Sequence, residues 1–127
     1  MKRTLCITLA ALLLAAAVCV ASNRIINRVV DHARHLRTEA VDAMDGGDVQ
    51  RAEQTLVELA DFIADNQFWL EVFCEHEDLH EIKVQIIDAQ ASIEFGSRED
   101  FYKAIYRFGE ALEHIADVEH IRLSNLC

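Results

Sequence analysis

The pentapeptide His76-Glu77-Asp78-Leu79-His80 matches H-E-x-x-H, the one stretch of this chain whose residue types and spacing spell out a known chemistry. On a helix its two histidines lie one turn apart and bind zinc, while the glutamate activates a water for hydrolysis. Glu99 follows at a spacing reminiscent of a third ligand. Geometry argues against that ligand. If the helices on either side of Gly96 form a hairpin, Glu99 is level with Ile93, roughly 20 Å along the bundle from His80. Zinc ligands bind at about 2 Å, so the set does not close. The sequence also offers no strand to hold an extended substrate. In helical projection His76 falls between Leu79 and Trp69, inside the apolar arc, which predicts a hydrogen-bonded core histidine; His80 falls at the edge of that arc.

A metal site inside a helical bundle is the competing chemistry. In the same register Glu113, His114 and Asp117 of the last helix lie near the height of His76 and His80, yet His114 projects away from that helix's apolar arc. His32, His35 and His120 read as solvated surface residues, although six histidines on an acidic chain leave room for a pH response. Tyr102, Tyr106 and Trp69 read as packing residues. Of four cysteines, Cys6 and Cys19 lie in an apolar run, leaving Cys74 and Cys127. In the hairpin register Cys127 overshoots Cys74 by roughly 13 Å. A disulfide tolerates a Cα separation of about 4.4–6.8 Å, so a bridge would need the chain's end to fold back. No phosphate loop and no nucleophile–base pair is readable. No catalytic, cofactor-binding or metal-ligating residue is assigned, and no enzymatic activity is expected.

The elements that must position any site begin with Leu5–Ala21, an apolar run interrupted only by Thr8, Cys6 and Cys19 and preceded by Lys2 and Arg3. It spans roughly 26 Å as a helix, against a hydrocarbon core of about 30 Å. A basic start followed by Cys19-Val20-Ala21 before Ser22 also resembles a cleavable signal peptide. Against cleavage, the run exceeds the usual signal core of about 7–15 residues. The helical pattern also continues through Ile26, Val29, Ala33, Leu36, Ala40 and Ala43 without a proline or glycine. A transmembrane anchor running directly into a domain is the preferred reading. Lys2 and Arg3 oppose Arg24, Arg28, Arg34 and Arg37 across the run, so the positive-inside rule is divided; the short tail tips the domain toward the extracytoplasmic side.

Net charge is −10, unevenly spread. Ser22–Arg37 carries four arginines and one aspartate, whereas Thr38–Cys127 carries six basic and 21 acidic residues. A basic collar suits anionic headgroups, while the acidic body disfavours nucleic acid. We divide the chain into a membrane anchor (or signal peptide) over 1–23 and an acidic helical domain over 24–127.

Within that domain the spacing predicts only helices. The first stops at Gly46-Gly47, and Asp48 caps a second with Val49, Ala52, Leu56, Leu59, Ala60 and Ile63 on one face. A turn is expected near Asp65-Asn66-Gln67. A third helix then runs from Phe68-Trp69 to Gly96-Ser97 with Trp69, Val72, Leu79, Ile82, Ile86, Ala89 and Ile93 inward. The last starts near Arg98–Asp100 and buries Phe101, Ala104, Ile105, Phe108, Ala111, Leu112, Ile115 and Val118. Asp48-Val49-Gln50-Arg51-Ala52 answers to Asp100-Phe101-Tyr102-Lys103-Ala104 at an offset of 52, which points to two similar hairpins. The fold class is all-α: a transmembrane helix continuing into a small antiparallel bundle of two helix hairpins.

The apolar N-terminal helix, Asp48-Val49-Gln50-Arg51-Ala52 leading into Leu56 and Leu59, Trp69, His76-Glu77-Asp78 and the closing helix around Leu112–Ile115 together resemble domain-of-unknown-function family 4363. These are small single-pass helical bacterial proteins of Gram-positive organisms. One departure is Val49, where the family usually has tryptophan. The resemblance implies a membrane address and no known activity, so it transfers no site residue. The expected role is that of a membrane-anchored helical module acting by protein–protein contact, bound to the bilayer through Leu5–Ala21. The alternative is a secreted helical domain binding a metal or small ligand after signal cleavage.

Overall fold

The computed structural model describes residues 1–126, apart from the side chains of Arg122, Leu123 and Leu126. Cys127, and with it any pairing to Cys74, lies outside the described residues. Five helices account for the fold, and no strand occurs among the described residues. Helix α1, Lys2–Asp45, is unbroken across the boundary drawn at residue 23. Its apolar first half contacts no core, and Ile26 is its first buried residue. From there Val29, Val30, Ala33, Leu36, Ala40 and Met44 face inward at spacings of three and four.

The stop comes at Gly47, in the left-handed conformation at φ 78°. The Gly47 amide donates to the Met44 carbonyl and the Asp48 amide to that of Ala43, which satisfies carbonyls the ending helix would strand. Asp48 then caps α2, Val49–Asp65, accepting from the Arg51 amide at 3.1 Å. Ala52, Thr55, Leu56, Leu59 and Ile63 are buried. Val49, expected on the inner face, is the first residue of α2, directly after the Asp48 cap, and is 46 % exposed.

The expected long third helix is two. Helix α3, Gln67–Phe73, continues α2 beyond a kink at Asn66, and α4, His76–Glu94, starts after extended backbone at Cys74 and Glu75. The break has a packing reason. At about 100° per residue, Leu70 and Leu79 would face opposite sides of one continuous helix. Breaking the helix lets both be buried, and Trp69 and Val72 are turned outward instead, at 40 % and 55 % exposure. After α4, Gly96 at φ 78° repeats the stop, with Gly96 donating to Ile93 and Ser97 to Ser92. Helix α5, Arg98–Leu126, then runs back along α4. It buries Phe101, Ala104, Ile105, Phe108, Ala111, Leu112 and Ile115, with Val118 only half-buried.

Helix α1 packs on α2 and α5, and α4 on α5 and α2. Arg34 meets Glu113, while further along α1 Met44 meets Arg98, so α1 and α5 are antiparallel. The result is an up-down-up-down four-helix bundle made of two hairpins, with α3 inside the link between them. The internal repeat is real in burial but its offset is 49, from Gly47 to Gly96. Ala52, Thr55, Leu56, Leu59 and Ile63 map onto Phe101, Ala104, Ile105, Phe108 and Leu112, every one buried. In α1 and α4, Val30, Ala33 and Ala40 map likewise onto Leu79, Ile82 and Ala89. The offset of 52 is this register slipped by about one turn, which lands on the same helix face. Ser97, not Asp100, stands where Asp48 stands: its Oγ accepts from the Asp100 amide at 3.3 Å.

Candidate functional site

The zinc-like pentapeptide forms the first turn of α4, with Glu75 in the cap position. His76, Glu77 and His80 are all exposed. The core histidine expected at position 76 is therefore corrected: the break before α4 resets the helical phase and Leu79 alone of the five is buried. Glu77 and Asp78 lie in the first turn, where the helix dipole favours negative charge. Asp78 is the member that reaches another helix. Its Oδ1 sits 2.9 Å from His114 Nδ1 of α5, with the aspartate side chain only 16 % exposed. His114, read from the sequence as pointing away, thus meets α4 at the bundle's flank.

The other residues of that candidate set go elsewhere. Glu113 turns to α1, receiving Arg34 Nε at 2.6 Å and Nη2 at 2.8 Å. Glu99 pairs with Lys103 at 3.0 Å on its own helix, and Asp117 is exposed. No group of three or more His, Cys, Asp or Glu side chains capable of holding a metal occurs among the described residues.

What the polar side chains do build is a seam between α1 and α5. Arg34 holds Glu113 as a bidentate fork and also Asp31 at 2.9 Å. The fork lowers the pKa of Glu113 and raises that of Arg34, the mutual hydrogen bond being the largest cause for each. One turn on, Arg37 Nε donates to the Ile105 carbonyl at 3.0 Å. The guanidinium can lie there because residue 109 is glycine: a Cβ would come within 2.7 Å of Arg37 Nε. At the far end Arg98 Nη2 donates to the Met44 carbonyl at 2.9 Å, placing a cation at the C-terminus of α1, and the Tyr102 hydroxyl donates to Asp45. Two of the four collar arginines, Arg34 and Arg37, are thereby committed to the bundle, and Arg24 and Arg28 stay exposed. The lone glycine inside an otherwise regular helix was the sequence signal for this close approach.

Between α4 and α5, near the Gly96 turn, lies an open cleft of about 320 Å³ lined by Asp88, Asp100, Lys103 and Arg107 among others. Gln85, which also lines it, is buried; its Nε2 donates to Glu81 at 2.8 Å, and its Oε1 has no hydrogen-bond partner among the described residues. The cleft presents mixed charge.

Residues 20–126 match the family described as Domain of unknown function (DUF4363). The chain belongs to that family. The match starts inside the apolar run, so membership covers the whole bundle and α3 and leaves residues 1–19 outside it. No curated protein and no solved structure matches the chain. The family carries no stated activity, and α1 has a segment long and apolar enough to cross a membrane, a form shared by anchors and signal sequences.

Proposed function

We infer that this DUF4363 protein is a single-pass, membrane-anchored helical module that works by protein–protein contact, with its bundle on the extracytoplasmic side and without catalytic activity. One observation carries the reading: the helix that forms the first wall of the core, from Ile26 to Met44, is continuous with an apolar half that the bundle leaves entirely uncovered. An apolar helix in that state needs a hydrocarbon environment, and one unbroken helix through both settings holds the bundle close to the bilayer. Exposed apolar side chains on α4 and α5, Ile87 at 61 % and Tyr106 at 62 %, supply anchors for a protein partner. The seam residues, locked by α1–α5 contacts, hold the scaffold those anchors stand on. Site-specific photocrosslinkers at Ile87 and Tyr106 in intact membranes test the reading. A discrete protein adduct from at least one position is expected. Absence of any protein adduct from either position would contradict action by contact.

A further inference from the structure

The membrane-facing end of the bundle, its base, carries an apolar surface left exposed among the described residues. Phe68 is 65 % exposed, Trp69 40 % and Val72 55 %, all on α3. The rings form one body: Phe68 and Trp69 meet edge to face at 5.2 Å, and Trp69 stacks on Phe73 at 6.0 Å. Opposite them Leu70 is buried, tying α3 to the core. Helix α3 is therefore amphipathic, with its inner face held and its outer face apolar.

Its height along α1 follows from a contact. The ring of Phe62 near the end of α2 lies 4.4 Å from that of His32, so the antiparallel register places Trp69 beside about residue 25 of α1 and Phe73 beside about residue 21. The apolar run ends at Ala21. Trp69 thus lies roughly 6 Å beyond the end of the run. The headgroup layer on each side of the hydrocarbon core is about 5–7 Å thick, and tryptophan, with an apolar body and a polar N–H, partitions there. Exposed Arg24 and Arg28 flank the same zone from α1. On the other side, Glu71 of α3 is held by Gln67 at 2.6 Å, so the surface is not simply basic.

We propose that α3 is a second membrane element: its Phe68–Trp69–Val72 face packs into the headgroup layer of the same bilayer that α1 crosses. The proposal rests on the anchor reading of α1 and commits to a lipid surface as the occupant, because the face is continuous in height with the end of an apolar span. Contact is made by apolar side chains, so it does not depend on anionic lipid. A helix through the bilayer fixes position but leaves rotation about its own axis free. A foot beside it, about one helix diameter away, fixes tilt and turns the bundle to one orientation at the surface.

Trp69 is the chain's single tryptophan, so intrinsic fluorescence reads the proposal directly. The full-length chain is reconstituted in phosphatidylcholine vesicles whose acyl chains carry bromine at shallow or deep positions, and vesicle flotation is measured alongside. The chain is expected to float. Its emission should shift to the blue of that in detergent-free buffer for a water-exposed indole. Shallow bromine should quench most of the emission and deep bromine less. In the double variant Phe68→Ser, Val72→Ser both the blue shift and the quenching should be lost, with flotation and melting temperature unchanged. Flotation with Trp69 unquenched and open to aqueous iodide would overturn the foot alone. Equal quenching in the double variant would likewise overturn the apolar contact. A chain that fails to float overturns the anchor and the foot together.

Discussion

Gly109 and Arg37 show how a single atom decides the packing of α1 on α5. A glycine inside a helix ordinarily lowers stability by about 1 kcal/mol relative to alanine. Here the missing Cβ is the space in which the Arg37 guanidinium reaches the Ile105 carbonyl. Gly109→Ala should therefore give little or no stabilisation in the native chain and about 1 kcal/mol in an Arg37→Ala background, measured by denaturant unfolding as a double-mutant cycle. Equal gains in both backgrounds would contradict the assigned contact. The Arg34–Glu113 fork carries its own test. The side chains are 41 % and 55 % exposed, so solvent screening limits the pair to about 1 kcal/mol or less. Glu113 has a lowered pKa in the folded chain, so it binds a proton more readily when unfolded. Its stabilisation is complete above the ordinary glutamate value of about 4.3 and is lost as pH falls through the lower folded value. Glu113→Gln should thus be destabilising at neutral pH and near-neutral in effect at the acid end of the titration, read from thermal melts across pH. Gly109 marks a close approach in the sequence without naming Arg37, and the Arg34–Glu113 fork has no mark at all, because long side chains select partners by three-dimensional register. The histidine at position 76 misled for a related reason: its apparent place in an apolar arc assumed an unbroken helix.

At the scale of elements, the stops were readable and the break was not. Gly46-Gly47 and Gly96-Ser97 announce helix ends because a left-handed residue there favours glycine, and Asp48 announces a start. The Cys74–Glu75 break has no proline or glycine to mark it. It is enforced by which side chains the core demands, and two phases of one apolar pattern compete for it. The competition is measurable. Leu70 is 1 % exposed, so Leu70→Ala should destabilise by about 2–5 kcal/mol, whereas Val72→Ala should stay within about 0.5 kcal/mol. A continuous third helix predicts the reverse ranking. The repeat teaches the same lesson. Helices tolerate a slip of one turn without changing the face they bury, so sequence matching at an offset of 52 found the relationship while only the turns fix the register at 49.

For the whole molecule, the all-α architecture and the two hairpins followed from periodicity, the absence of proline and the scarcity of glycine. The division at residue 23 is the part that the fold does not mark, since α1 passes through it without interruption. Everything proposed for this family member depends on that helix staying whole. As an anchor it holds an acidic bundle at a fixed height, with the exposed arginines Arg24 and Arg28 and the aromatic face of α3 near the surface. Cut after Ala21, the chain keeps every buried residue and loses its address. The intact mass of the native protein, taken from the membrane fraction of its own cells after alkaline carbonate washing, decides between these fates. Retained anchoring predicts a carbonate-resistant chain that still contains Leu5–Ala21, near the full-length 14.4 kDa. A soluble product whose mass corresponds to a chain beginning at Ser22 would contradict it.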